Sequence, residues 1–434
     1  MKNNTVFENS FPRSNFLLLF ISRLISDLGM AVFKFSLSLY ILDVTGSASY
    51  FSLILTFTIL PGAIMNVFAG VIVDKYDKKK IIIISDILCS LLVFVIFFIL
   101  QDTNNANVML FSVYVICISI IQTFLNLSIN SSLSNLLEET NVPKANSMFQ
   151  SMGAIINILG PLISSALYVI LGIKFIVLIN AITYLIGAFA SMLLQFKYNN
   201  QNVDDVSSTK YIENLKFGFS YIKKKKIIQF FLINLLMLNF VYMPLTMLVV
   251  QYITYKVLEV SEFQLSIIQA FLGIGVILGA IYISVNNSIE KSINRFPLYL
   301  GALTIGVSFW MFPSLTHLGV ISKSQLVIGY SVACLLVASI YTISIIPIYT
   351  YFQTRVPENI RGRIFGVATS ALNISIPIGV LIYGFLLEQV HWLYVIVIST
   401  LILLILCFYS WRYLLIHKNS FISSTIDWKG AEEH

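Results

Sequence analysis

The chain reads as an all-α polytopic membrane protein whose twelve transmembrane helices form two six-helix bundles. Three observations lead there. Hydrophobic residues make up 58% of the 434 positions and charged residues only 11%, against about 25% charged in a soluble domain. Ten runs of at least 22 residues carry no Asp, Glu, Lys or Arg: 44–73, 103–137, 145–173, 175–196, 227–255, 263–289, 296–322, 324–354, 364–387 and 389–411. The basic residues fall almost wholly on one side of those runs. This composition excludes an ordinary cytosolic enzyme, a disordered chain and a secreted disulfide scaffold.

A helix needs about 20 apolar residues to cross the hydrocarbon core. Each of the ten runs is long enough. Two further apolar segments, 15–42 and 81–101, contain charges and complete the set of twelve. Lipid offers no partner to backbone N–H and C=O groups, so spans are helices or closed barrels. Continuous apolarity without period-2 alternation argues against the barrel. The segment after the polar first thirteen residues is too long for a signal-peptide core and is read as a retained first helix.

Numbered in order, the spans sort the 27 Lys and Arg. The N-terminus, the even-to-odd connections and the C-terminal tail hold 22 of them. Lys174, Lys256 and Lys323 lie on the opposite side, and Arg23 and Lys34 lie inside the first span. Such a split places both termini in the cytoplasm, which requires an even number of spans. The net charge of +7 therefore speaks of membrane orientation, not of nucleic acid.

The longest polar interruption separates spans six and seven. The expected organisation is a first bundle over 1–196, a cytoplasmic linker over 197–226, a second bundle over 227–416 and a cytoplasmic tail over 417–434. Residues 211–222 read either as a short amphipathic surface helix, with Tyr211, Leu215, Phe219 and Ile222 on one side, or as a solvated linker. The halves show faint repetition. Val142-Pro143 precedes a span with Asn157, Gly160 and Pro161; Val356-Pro357 precedes one with Asn373, Pro377 and Gly379. Parallel repeats of this kind are one transporter plan.

The loop between spans two and three runs from Gly70 through Asp74, Lys75, Asp77, Lys78, Lys79 and Lys80. Gly70 suits close helix approach. An acid at a helix end among bases, such as Asp74, can latch onto a neighbouring helix N-terminus. The alternative is topogenic charge alone; the fixed spacing favours the latch.

This loop, with Lys75, Lys78 and Lys79 at its basic positions, resembles the signature loop of the major facilitator superfamily. Asp77 stands where Gly is common. Ser26-Asp27-Leu28-Gly29, Thr45-Gly46-Ser47-Ala48, Pro61, Ser85-Asp86 and Val356 through Arg363 resemble the branch of macrolide, multidrug and siderophore exporters. The resemblance spans essentially the whole chain. It implies the major facilitator fold, alternating access by two six-helix bundles around a central cavity, and secondary transport usually driven by protons. It also implies that Asp74 meets the eleventh span near Gly362 in the outward-facing state. Exporters of this superfamily often carry Gly-Pro-x-x-Gly-Gly in the fifth span, associated with antiport. This chain keeps Gly160-Pro161, an expected helix kink, but has Ser164 and Ser165 at the double glycine. The family's usual Arg in the fourth span is absent.

The first span carries Arg23, Asp27 and Lys34. At about 100° per residue they share one narrow face. Each charge at mid-span costs roughly 2.5–3.5 kcal/mol on insertion scales, so that face belongs in the protein interior. Arg23 and Asp27 are spaced to pair. Asp27 is then a carboxylate for proton or cation coupling with Arg23 biasing it, or one half of a static ion pair. Lys34 suits an anionic group of a substrate. Asp86, early in the third span, reads as part of the cytoplasmic charge network. Glu388 and His391 read as surface groups at the outer end of the last two spans.

Uncharged polar residues mark further candidate cavity faces: Gln122, Asn126 and Asn130 at i, i+4, i+8, then Asn157, Asn234, Tyr242 and Tyr341. They suit a large, partly apolar solute, or interhelical hydrogen bonds. Gly275 and Gly279 read as helix packing. Cys89, Cys117, Cys334 and Cys407 sit in predicted spans with no disulfide or zinc spacing. No Walker loop, metal-ligand cluster or catalytic triad is visible, so no cofactor and no catalysis are expected, and uphill transport must draw on an ion gradient. Three functions remain open. The first is a proton-coupled exporter of amphipathic small molecules such as macrolide-like drugs or siderophores, working as a monomer in the cell membrane. The second is a lipid or lysolipid flippase. The third is a non-transporting receptor or assembly factor.

Overall fold

In a computed structural model the described residues are 13–99, 108–137, 141–195, 219–285, 293–318, 323–356 and 358–416. Among them, eleven helices are long and apolar enough to cross a membrane. One helical element, Val142–Leu193, has 52 residues. Straight, it would be about 78 Å long at 1.5 Å per residue, against a hydrocarbon core of about 30 Å. It is broken at Gly172, where φ is 72° and ψ is 169°. Such a left-handed φ is open to glycine at little cost. The break divides the element into residues 142–171 and 173–193, and with it the long helical segments number twelve among the described residues.

We label them α1 (Arg13–Thr45), α2 (Ala48–Lys75), α3 (Lys78–Ile99), α4 (Val108–Leu136), α5 (142–171) and α6 (173–193). Then come α7 (Lys226–Val257), α8 (Glu262–Val285), α9 (Phe296–Ser308, continued by a 3₁₀ stretch Phe309–Leu318), α10 (Lys323–Arg355), α11 (Glu358–Gln389) and α12 (Trp392–Ile416). The chain divides into two compact units, Met1–Asn214 and Leu215–His434.

Local chemistry sets the ends. Gly46, at φ 64°, closes α1, and its N–H donates to Leu42 O at 3.0 Å. Ser47 then caps α2 by accepting from the Tyr50 N–H at 3.2 Å. A left-handed glycine followed by a capping serine makes a reversal in two residues. Asp77 caps α3, accepting the N–H of Lys79 at 2.9 Å and of Lys80 at 3.4 Å. Its carboxylate also faces the positive end of the helix dipole. Ser261 and Gln264 form a reciprocal capping box at the start of α8.

Each unit repeats one packing scheme. In the first, α1 packs on the 142–193 element, α2 on α4, and α3 on the same 142–193 element. In the second, α7 packs on α11, α8 on α10, and α9 on α12. Hydrogen bonds resolve the two halves of the broken element. Ser164 on α5 donates to Val32 O of α1 at 2.9 Å, and Ser90 on α3 donates to Ala181 O of α6 at 2.9 Å. The weak sequence repetition thus has a physical counterpart in how helices pair inside each half.

Glycine permits the tightest contacts. A Cβ on Gly160 would come within 2.9 Å of the Ala31 Cβ, joining α5 to α1. A Cβ on Gly379 would come within 2.7 Å of Phe240 O, joining α11 to α7. Backbone geometry stays helical at Gly160 and Pro161. The expected kink there is therefore not where this element leaves helical geometry; that point is Gly172. Proline removes one hydrogen bond yet keeps a helical φ. In α7, Pro244 leads instead into π-helical turns, Leu245–Val249 and Ile253–Val257. Of the expected linker helix, 211–218 lie outside the described residues. Residues 219–224 are helical, with Ile222 buried and Phe219 exposed.

Gly275 and Gly279 of α8 face α10, where a Cβ on Gly279 would meet Ser339 O at 2.5 Å and Thr342 Cβ at 2.8 Å. Gly279→Ala is expected to destabilise the second unit by about 1–3 kcal/mol, the usual cost of overpacking. Thermal unfolding of the detergent-solubilised protein checks this. An unchanged midpoint would contradict the close α8–α10 contact.

Candidate functional site

The residues of α1 between Ser22 and Asp27 form the polar centre of the first unit. Ser22, Arg23 and Ser26 are buried. Ser26 donates to Thr183 O of α6 at 3.0 Å, which holds this stretch against α6. Arg23 pairs through Nη2 with Asp27 Oδ1, one turn on in the same helix. Its Nη1 reaches Asp86 Oδ1 of α3 at 3.4 Å. One guanidinium therefore lies between two carboxylates. The three side chains differ in access: Arg23 is 4% exposed, Asp86 0% and Asp27 36%.

Asp86 was expected in the cytoplasmic charge network, and its position corrects that reading. Two turns into α3, it faces α1, not the lysines at the helix start, because α3 turns about 100° per residue. The signal in the sequence was the lone acid within an apolar stretch, a costly placement unless a partner waits inside. Its Oδ2 has no hydrogen-bond partner among the described residues. A Cβ at Gly187 of α6 would stand 3.3 Å from that oxygen and 2.8 Å from Ser26 Oγ. The absence of a side chain at Gly187 lets the α6 backbone lie over the cluster.

Lys34 is exposed, lies within electrostatic reach of Asp27, and forms no ion pair among the described residues. On α4, Gln122 donates to the Tyr184 hydroxyl of α6 at 2.7 Å, while Asn126 and Asn130 are exposed. The side chain of Asn157 lies outside the described residues. Ser164 Oγ sits 2.6 Å from Ser36 Oγ, so a hydroxyl pair ties α5 to α1.

The second unit alters three expectations. Asn234, expected on a cavity face, is fully buried. It accepts from Ser410 of α12 at 2.7 Å and donates to Phe230 O at 2.9 Å. Tyr242 and Tyr341 are buried too, stacked with centroids 3.7 Å apart at 10°. The Tyr341 hydroxyl donates to Asn239 Oδ1 at 3.2 Å. These residues join α7 to α10 and α12. Buried amides and phenols satisfy one another because hydrocarbon surroundings leave no other partner.

The lysines of the 70–80 loop also act within their own unit. Lys78 donates to Ser131 O near the end of α4 at 3.2 Å. Lys79 donates to Met192 O and Leu194 O at the end of α6, both at 2.8 Å. Cations at helix C-termini satisfy terminal carbonyls and oppose the negative dipole end. Asn15 donates to Gln195 O at 3.0 Å, so the starts of α1 and α3 and the ends of α4 and α6 lie on one face of the unit. Lys75 is exposed. A Cβ at Gly70 would meet no atom within 4 Å. The side chain of Asp74 and the surroundings of Gly362 lie outside the described residues.

Arg23→Met leaves two carboxylates without their cation and is expected to cost about 3–5 kcal/mol, as for breaking a buried pair. Lys79→Met removes only a helix-end contact and is expected to cost about 0.3–1 kcal/mol. Unfolding midpoints of the two variants in detergent check the ranking; equal shifts would contradict it.

Comparison with known proteins adds identity to this geometry. Macrolide efflux protein A of Streptococcus pyogenes is 23% identical over 389 residues, covering 87% of this chain and 91% of that protein. Macrolide efflux protein A of Enterococcus faecalis is 24% identical over 329 residues, covering 74% and 95%. Among solved structures, the nucleoside transporter NupG has a TM-score of 0.72 at 14% identity, covering 92% of this chain and 98% of that one. A bacterial homologue of the iron transporter ferroportin, inward-facing, has a TM-score of 0.66 at 13% identity, covering 90% and 98%. These structures share the fold. The family model for the Major Facilitator Superfamily matches residues 19–380, and the chain belongs to that superfamily as a multi-pass membrane transporter.

Proposed function

We propose that this secondary transporter is a proton-coupled exporter of amphipathic small molecules of the macrolide type. The observation that carries the reading is the Arg23–Asp27–Asp86 cluster inside the first bundle. A bundle needing only static stability gains little from such a group, since apolar packing of equal volume serves as well or better. A carboxylate that is half-accessible and held by a buried cation can load and release a proton as its surroundings change. The similarity to macrolide efflux proteins supports the substrate class. The membrane potential contributes about 2.3 kcal/mol per charge per 100 mV to such a cycle.

In this reading Asp27 is the water-facing coupling carboxylate and Arg23 its bias. Lys34 and the exposed Asn126 and Asn130 are candidate contacts for solute. Asp74 and Gly362 serve as a latch between conformations. Both termini are cytoplasmic, supported by the 22-to-3 sorting of basic residues. The protein works as a monomer in the cell membrane, with protons or another cation as its second partner. Lys34, an exposed cation in mid-span, favours one competing reading: a flippase gripping an anionic head group.

Reconstitution with an imposed pH gradient and erythromycin as probe tests the proposal. Gradient-dependent erythromycin flux with accompanying proton movement is expected in wild type, and its abolition at normal expression in Asp27→Asn. Full flux in Asp27→Asn would remove Asp27 from the coupling role. Gradient-independent lipid scrambling would favour the flippase, and the absence of both activities a non-transporting role.

A further inference from the structure

The cluster contains one cation and two acids. With both carboxylates ionised it carries an excess negative charge inside the bundle. Lys34, exposed and within electrostatic reach of Asp27, forms no ion pair with either acid among the described residues and does not reach Asp86. The two acids are not equivalent. Asp27 holds the nearer guanidinium nitrogen and keeps water contact. Asp86 is sealed, touches Arg23 at 3.4 Å through one oxygen, and leaves its other oxygen without a partner among the described residues. An ionised carboxylate normally accepts several hydrogen bonds. A buried one left uncompensated neutralises itself by taking up a proton.

The remaining neighbours do not alter this balance. From α1, Asp86 meets only Arg23 and Asp27 as charged groups. Cys89 lies one turn on in α3, and Tyr184 of α6 and Tyr114 of α4 complete the surrounding polar set. Gly187 adds backbone but no side chain. None of these groups carries a second positive charge.

We propose that Arg23, Asp27 and Asp86 share one exchangeable proton, which resides on Asp86 while Arg23 is paired with Asp27. This deepens the coupling reading above and rests on it for its role in transport, though not for its own test. The exchange balances. The O–H bond on Asp86 breaks and one forms on Asp27, while the guanidinium shifts its pairing from Asp27 to Asp86. The cluster stays neutral throughout. Asp27, the only member with water access, passes the proton outward or receives it. Arg23 thereby selects which carboxyl is neutral, and Asp86 serves as the sealed storage position.

Infrared spectroscopy of the full-length protein in nanodiscs, without any transported solute, reads this directly. At neutral pH a carbonyl band of a protonated carboxylic acid is expected in wild type. It should shift in Asp86→Glu and keep its position in Asp27→Glu. Asp86→Asn, which mimics a neutral carboxyl, should lose the band and unfold within a few degrees of wild type. Where Asp86→Glu fails to fold beneath Gly187, Asp86→Asn against Asp27→Glu still decides. A missing wild-type band, a band moved by Asp27→Glu, or a band surviving in Asp86→Asn would overturn the proposal. A band that behaves as expected in a protein that moves no erythromycin would refute the macrolide reading and leave the shared proton intact.

Discussion

Hydrocarbon supplies no hydrogen-bond partner and no counter-ion, and that constraint shapes every level of this molecule. It makes the backbone helical throughout the spans. It also drives each polar side chain either to a bundle interior or to a helix end. Ser26 bonds α6, Ser164 bonds α1, Ser90 bonds α6, and Asn234 joins α12. The Arg23 cluster is the extreme case, where a whole guanidinium is buried and its two acids come from different helices.

The two units answer the constraint differently. The first concentrates charge between α1 and α3, beneath the α6 backbone. The second contains stacked tyrosines and buried amides between α7 and α10, with Tyr242 against Tyr341 and Asn239 bonded to the latter. Both pair their helices in the same order. Among the described residues, a repeated scaffold thus carries an ion-pair cluster in one half and none in the other.

The signature loop shows how one motif serves several ends. Asp77 becomes an N-cap for α3. Lys78 and Lys79 close the ends of α4 and α6. The lysines of this loop thus complete helices within their own bundle.

The helical class, the positions of the spans, the need to bury Arg23 and Asp27, and the superfamily were legible in the sequence. The first three depend on local composition or on periodicity along one helix, the last on the resemblance of the 70–80 loop. Asp86 as partner of Arg23, the bonds of Asn234 with Ser410 and of Tyr341 with Asn239, and the lysine caps were not. They depend on which helix lies against which, and on the rotation of each about its axis. The break at Gly172 belongs to the same group: polarity at Lys174 marked the region, but only the positive φ located the reversal. Apolar runs specify where a chain enters lipid because transfer energy is nearly additive along it. Pairing across helices is a property of packing, and only the tertiary structure decided it.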